Sequence, residues 1–290
     1  MTLDFALRGL LAPAVFAGVL LLLAWVSRDS AEQASRGWLG ALALGGAYLF
    51  GQAAAISGLP PFPPIQADDR LFWIIASAVA LAGVESLLSE RRLPRMVLRA
   101  AFSCFVVWYL LARLLERKPT ADAVTLVVAL GAALFVGWSA LAAWASRRPG
   151  ASVPLVLWFT TSAVSVALLL SHTAKYAQMA GTLASCLGAA VVVAWLRPSF
   201  ALGAGAASIV AVLHASFCIA GVWLAYTPLP TESALLLAAA PFLAAAAEIG
   251  PLARLSPMKA VVARLVLVAL FLVPALFVAW VEAPPPASGY

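Results

Sequence analysis

Charged side chains are scarce in this chain of 290 residues. Asp, Glu, Lys and Arg together make up only 10% of the sequence, and 64% of the residues are hydrophobic, whereas charged residues form about 25% of an average soluble domain. A soluble globule of this length cannot hide so much apolar surface, since many of its residues touch the exterior. The composition therefore excludes a soluble domain and a disordered chain, and it predicts a polytopic membrane protein.

The chain has three cysteines, and they form no recognisable motif. Cys104, Cys186 and Cys218 all lie inside apolar stretches and form no CxxC pair, so the sequence indicates neither a zinc site nor a disulfide framework. The sequence has no GxxxxGK[ST] motif for binding nucleotide phosphates, and its basic residues form no long run of the kind that binds nucleic acid. We therefore expect no metal, no cofactor, no nucleic-acid partner and no use of ATP.

Long apolar stretches are what the chain does contain. A helix needs about 20 predominantly apolar residues to cross a bilayer, and the seventh and ninth of ten such stretches are short. The ten segments are roughly 5–27, 37–58, 71–89, 96–115, 123–145, 153–171, 178–196, 203–225, 233–249 and 260–281. We predict an all-α polytopic membrane protein of about ten transmembrane helices, in which residues 1–290 form a single integral membrane domain.

The basic residues predict how this domain is oriented in the membrane. With ten helices, twelve Lys and Arg residues fall on one side and six on the other. The six are Arg8, Arg70, Arg113, Arg117, Lys118 and Lys175. Because cytoplasmic loops carry the excess of Lys and Arg, we expect the twelve to be cytoplasmic and both termini to lie outside. The expected location is a bacterial cytoplasmic (inner) membrane, with the lipid bilayer as the first partner.

Two parts of the chain resemble each other in pattern. Glu85 lies nine residues before Pro94, Glu248 lies nine residues before Pro257, and a proline-rich loop ending in an acidic residue precedes each helix. Helices 1–4 are therefore predicted to correspond to helices 7–10. The repeat units are 1–115 and 178–281, with linking helices in 123–171. Since the offset of six helices is even, the two units would be parallel duplicates.

Four ionisable residues near the predicted cytoplasmic face are arranged as two pairs. Glu85 and Arg99 each lie seven residues from position 92, and Glu248 and Arg264 are equidistant from position 256. Residues equally far from a turn reach the same depth on two adjacent helices. We therefore predict the interhelical ion pairs Glu85–Arg99 and Glu248–Arg264. Each pair would act either as a gate or proton-coupling pair, or as a clamp on a helix hairpin near the interface.

Few polar groups lie near the predicted middle of the membrane. His214 is at the centre of helix 8, where an imidazole could relay protons or contact a ligand, or could form one interhelical hydrogen bond that holds helices together. Thr161 and Ser165 share a face of helix 6 at i and i+4. Their hydroxyls would line a substrate site or bond to backbone carbonyls one turn earlier. These three residues are the candidates for a ligand or proton-relay site.

The sequence favours two functions and supplies no catalytic residues. The first is an ATP-independent, permease-like transporter of a small or lipidic solute, which is suggested by the repeat, by proline-interrupted helices and by His214. The alternative is a non-catalytic accessory or structural subunit that packs against other membrane subunits, which is suggested by the scarcity of polar groups at depth. We do not expect an enzyme.

Overall fold

The computed structural model describes residues 6–26, 37–55, 58–88, 91–246 and 257–283, and the regular structure in these ranges is helical. A short π-helical segment, Ala6–Leu11, leads into the first of ten α-helices. These helices are α1 (Ala12–Val26), α2 (Gly37–Ala55), α3 (Ala67–Leu87), α4 (Arg92–Leu115), α5 (Thr120–Arg147), α6 (Ser152–Leu170), α7 (Ala174–Leu196), α8 (Gly203–Trp223), α9 (Thr231–Ala246) and α10 (Pro257–Val281).

Eight helical stretches in the described ranges are long and apolar enough to cross a membrane. They correspond to all the helices except α2, whose 19 residues include five glycines, and α9, which has 16 residues. The chain is thus an all-α polytopic membrane protein, which confirms the predicted fold class. The seventh helix is not short, because Ala177 donates its backbone N–H to Thr173 and the helix begins at Ala174.

Helix α8 lies at the centre of the bundle. Nearly all of its residues are buried, and it packs most extensively with α2 and α5 and also contacts α3 and α9. Around it, α6 and α7 form one closely packed hairpin, α9 and α10 form another, and α1 lies between α2 and α7. Small residues along α8, including Ala207 and Ala211, let these neighbouring backbones approach closely.

Glycine permits a close approach of α2 to α1 and α7. A Cβ atom added at Gly51 would lie 2.7 Å from Pro13 Cβ on α1 and 2.8 Å from Thr182 Cγ2 on α7. Gly46 lies on the same helix, and a Cβ atom there would have no heavy atom within 4 Å. The close packing of α1, α2 and α7 therefore requires glycine at position 51.

The predicted duplication places α2 and α8 in equivalent positions. Their surroundings differ, because α8 is enclosed by other helices whereas α2 exposes Trp38, Leu42 and Phe50. The two helices pack against each other, so α2 of the first predicted repeat unit contacts α8 of the second. The duplication stays a prediction.

Candidate functional site

His214 is buried between α8 and α9. Its Nε2 atom lies 3.0 Å from the backbone oxygen of Leu237. This carbonyl would ordinarily accept a hydrogen bond from the residue four positions later in α9, but that residue is Pro241, which has no N–H. A carbonyl can only accept, so the Nε2 atom of His214 carries the proton and donates it. His214 thus satisfies a backbone acceptor that a proline has left without its helical donor.

The second ring nitrogen of His214, Nδ1, does not form a hydrogen bond of this kind. Nδ1 is buried and has no hydrogen-bond partner among the described residues. A proton relay needs a donor or acceptor on each side of the imidazole, and within the described part of the chain the Leu237 carbonyl is the partner on one side. The structure gives His214 one interhelical hydrogen bond, and its predicted role stays a prediction.

Thr182 makes the same kind of contact at the junction of α1 and α7. Its hydroxyl donates to the backbone oxygen of Gly9 over 2.8 Å. The residue four positions after Gly9 is Pro13, which has no N–H to donate to this carbonyl. At two separate prolines, 13 and 241, a side chain on another helix thus contacts the carbonyl four residues before the proline. Thr182 was not among the predicted site residues, although a proline four residues after a backbone acceptor is a signal that the sequence shows.

The polar residues of α6 do not act as one cluster. Thr160 donates its hydroxyl to the Leu157 oxygen one turn earlier in the same helix. Ser165 instead crosses to α7, where its hydroxyl donates to the Ala177 oxygen over 2.7 Å. The Thr161 hydroxyl is fully buried and has no partner among the described residues. These groups are enclosed by helices rather than arranged around one open space.

The structure brings Glu85 and Arg99 together. Arg99 Nε and Nη2 donate to the two carboxylate oxygens of Glu85, over 2.5 and 2.7 Å. The guanidinium also lies 5.3 Å from the centre of the Trp138 ring on α5, at a distance typical of a cation–π contact. This paired, largely buried arrangement links α3, α4 and α5 near one end of the bundle.

The second predicted pair is only partly within the described residues. Glu248 lies outside them. Arg264 is buried at the start of α10, and its Nη1 atom donates to the Ser152 hydroxyl at the start of α6 over 2.5 Å. Arg264 therefore contributes a contact between α10 and α6, which the sequence spacing did not indicate.

A second set of polar contacts joins helices at the other end of the bundle from Glu85 and Arg99. Asp68 at the start of α3 forms an ion pair with Lys175 at the start of α7. Arg70 is buried and donates to the Tyr109 backbone oxygen over 3.1 Å. The sequence pattern did not predict these contacts. One aspect could have been predicted from helix order. Because successive helices cross the membrane in opposite directions, the third and seventh helices begin on the same side.

An open groove runs between α4 and α5. Its volume is about 780 Å³, and its walls are largely apolar, with Cys104, Phe105 and Trp108 on α4 and Ala123 and Val127 on α5. The charged residues Glu116 and Lys118 line one end, next to the turn between the two helices. Ligand sites commonly have volumes of about 300–1,000 Å³. Sequence analysis did not identify this groove.

The described residues contain no group of three or more His, Cys, Asp or Glu side chains that could hold a metal ion. The groove offers space for a ligand, while His214, Thr161 and Ser165 contact neighbouring helices or are buried among them. No protein-family model, curated protein or solved structure matches the chain.

Proposed function

We propose that the protein is a permease-like helical bundle that transfers a lipidic solute without ATP. The supporting observation is the groove between α4 and α5, because it is apolar along its length, charged at one end and open at the side of the bundle. A lipid entering such a groove keeps its chain in apolar surroundings and its polar group near water. A central aqueous cavity is not needed for this kind of transfer.

Packing in the core favours a lipidic solute over a small polar one. The Nε2 atom of His214 is occupied by the Leu237 carbonyl, and Ser165 is occupied by the Ala177 carbonyl. A polar solute passing through the centre would have to break these interhelical hydrogen bonds. A solute that moves along the outer surface of α4 and α5 leaves them intact. We propose binding and transfer without covalent chemistry.

Reconstitution into liposomes tests the proposal. The protein is expected to increase the fraction of a fluorescent phospholipid that external dithionite can reduce, because inner-leaflet lipid would reach the outer leaflet. Ala123→Trp, which fills the groove, is expected to reduce the rate at least fivefold. Ala143→Trp is the matched control, since Ala143 lies on the same helix, is exposed and does not line the groove. A rate equal to that of protein-free liposomes would contradict the proposal.

A second candidate function, the accessory subunit, is favoured by a different surface of α5. Ala121, Thr125, Ala129 and Ala133 are exposed at intervals of four residues. Such small-residue stripes let another membrane helix approach closely. If the liposome experiment shows no transfer and the protein purifies in mild detergent with a stoichiometric membrane subunit, this second function becomes the better one.

We also propose that the chain lies in a bacterial cytoplasmic membrane with both termini outside. The support is the twelve-to-six distribution of basic residues. In addition, Arg197 at the end of α7 stacks on Trp25 at the end of α1, with 4.9 Å between the guanidinium and the ring centre. These two odd-numbered helices therefore end on the same side.

Fusions to alkaline phosphatase test this orientation, because the enzyme is active only after export. A fusion after Tyr290 is expected to be active, and one after Arg148, in the turn between α5 and α6, is expected to be inactive. The reverse pattern would place both termini in the cytoplasm.

A further inference from the structure

The groove between α4 and α5 is built from alternating small and large side chains. The small side chains of Ala101 and Ala112 leave space along α4, while the rings of Phe105 and Trp108 line the sides of the groove. Near its deep end, α4 and α5 are in close contact, since a Cβ atom added at Gly131 would lie 2.7 Å from Cys104 Sγ. The groove is therefore a long, shallow channel with a closed floor rather than a gap that separates the two helices.

The length of the groove suits one acyl chain. It extends along α4 from Ala101 to Leu115, which corresponds to about 21 Å at about 1.5 Å per residue. The hydrocarbon core of a bilayer is about 30 Å thick, so the groove reaches from one interface past the middle of the membrane. An acyl chain gains little from the hydrophobic effect on leaving other lipid tails. Selectivity for a particular lipid must therefore come from the charged end.

That end carries two opposite charges within three residues. Glu116 and Lys118 both line the groove and are both exposed, and neither forms an ion pair with another residue in the described part of the chain. An ammonium group can form a charge-assisted hydrogen bond with a lipid phosphate, and a carboxylate can accept one from a primary amine. A headgroup with a phosphate and a primary amine matches both residues at once.

We propose that this groove binds a phospholipid with a phosphoethanolamine headgroup, in which one acyl chain follows α4, the phosphate contacts Lys118 and the amine contacts Glu116. The inference rests on the proposed function, because it names the substrate class of the same groove. A phosphocholine lipid has no N–H to donate to Glu116, and a phosphoglycerol lipid has no cation for it. The turn therefore distinguishes among lipids whose chains are identical.

Native mass spectrometry of the purified protein tests the inference with phosphatidylethanolamine, phosphatidylcholine and phosphatidylglycerol of identical chains. Phosphatidylethanolamine is expected to bind most tightly. Lys118→Ala is expected to weaken its binding about tenfold, as loss of one charge-assisted hydrogen bond implies. Glu116→Gln is expected to remove most of the preference over phosphatidylcholine. Arg117→Ala is the matched control, because Arg117 is exposed in the same turn and does not line the groove.

The rate of Cys104 alkylation supplies a second readout of where the lipid binds. Cys104 lines the groove and is partly exposed, whereas Cys186 and Cys218 are buried. Bound phosphatidylethanolamine is expected to slow alkylation of Cys104 by N-ethylmaleimide at least threefold in the natural protein, and to slow it much less in Lys118→Ala. Ala112→Trp, which occupies the groove, should slow alkylation without added lipid.

Three results would overturn the inference. These are equal affinities for the three lipids, an equal effect of Arg117→Ala and Lys118→Ala, and an alkylation rate that lipid does not change. If a second membrane helix occupies the groove instead, Cys104 would be protected in a complex of two polypeptides without lipid. Binding needs no transfer, so lipid selectivity without dithionite accessibility would reject the proposed transport and leave this inference standing. Transfer without headgroup selectivity would support the proposed transport and reject this inference.

Discussion

Gly51→Ala is expected to lower the free energy of unfolding by about 2–3 kcal/mol, as overpacking of a close helix junction does. The new methyl group would lie 2.7 Å from Pro13 Cβ and 2.8 Å from Thr182 Cγ2. One of these atoms belongs to a ring and the other to a β-branched side chain, so neither can turn aside easily. Helix α2 must move, and the contact between Thr182 and Gly9 is disturbed with it.

Gly46→Ala is the matched control for this prediction. It adds the same methyl group to the same helix at a position with no heavy atom within 4 Å, and alanine favours a helix over glycine by up to about 1 kcal/mol. The control is therefore expected to be neutral or stabilising. Tryptophan fluorescence during SDS titration in mixed micelles would measure both variants. Similar losses in the two variants would show that Gly51 is not a point of close contact.

His214→Leu is expected to cost about 2 kcal/mol of stability. Leucine roughly preserves the buried volume but leaves the Leu237 carbonyl without a donor, and an unsatisfied buried acceptor costs about 1–3 kcal/mol. His214→Gln is expected to retain much of the stability, because its amide can donate in place of Nε2. The same titration of unfolding measures these variants, and equal stability of the Leu and Gln forms would contradict a role in hydrogen bonding.

Pro241→Ala makes this prediction specific. It gives position 241 an N–H that can donate to the Leu237 carbonyl within α9, so this acceptor no longer depends on His214. In the Pro241→Ala background, His214→Leu is expected to cost less than about 0.5 kcal/mol. The difference between the two backgrounds is the coupling energy of the pair. If the cost is unchanged, His214 stabilises the fold through packing alone.

Local sequence pattern was enough to predict the helices and one contact. Apolar stretches of bilayer length identify most of the helical segments because spanning a membrane requires them. The contact between Glu85 and Arg99 was readable because both lie seven residues from the same turn. In each case the information lies within a short range of the chain.

Contacts between distant segments were not readable in the same way. Thr182 and Gly9 are 173 residues apart, and Asp68 and Lys175 meet only because α3 and α7 begin side by side. The groove depends on how the side chains of α4 and α5 fit together, and apolar periodicity is the same whether two faces meet tightly or leave a channel. His214 was identified as a candidate, but its partner depended on which carbonyl of α9 faces it.

The central position of α8 also has a consequence for the order in which the protein is made. Its main neighbour α2 begins at Gly37, whereas α8 begins at Gly203. At about 5–20 residues per second, α2 leaves the ribosome on the order of 10–30 s before α8 does. Until α8 is made, lipids or insertion factors must cover the surface of α2 that α8 will occupy, and for the second half of that interval the surface of α5 as well. The bundle therefore closes around a helix that arrives late, and its final assembly is a post-insertion step.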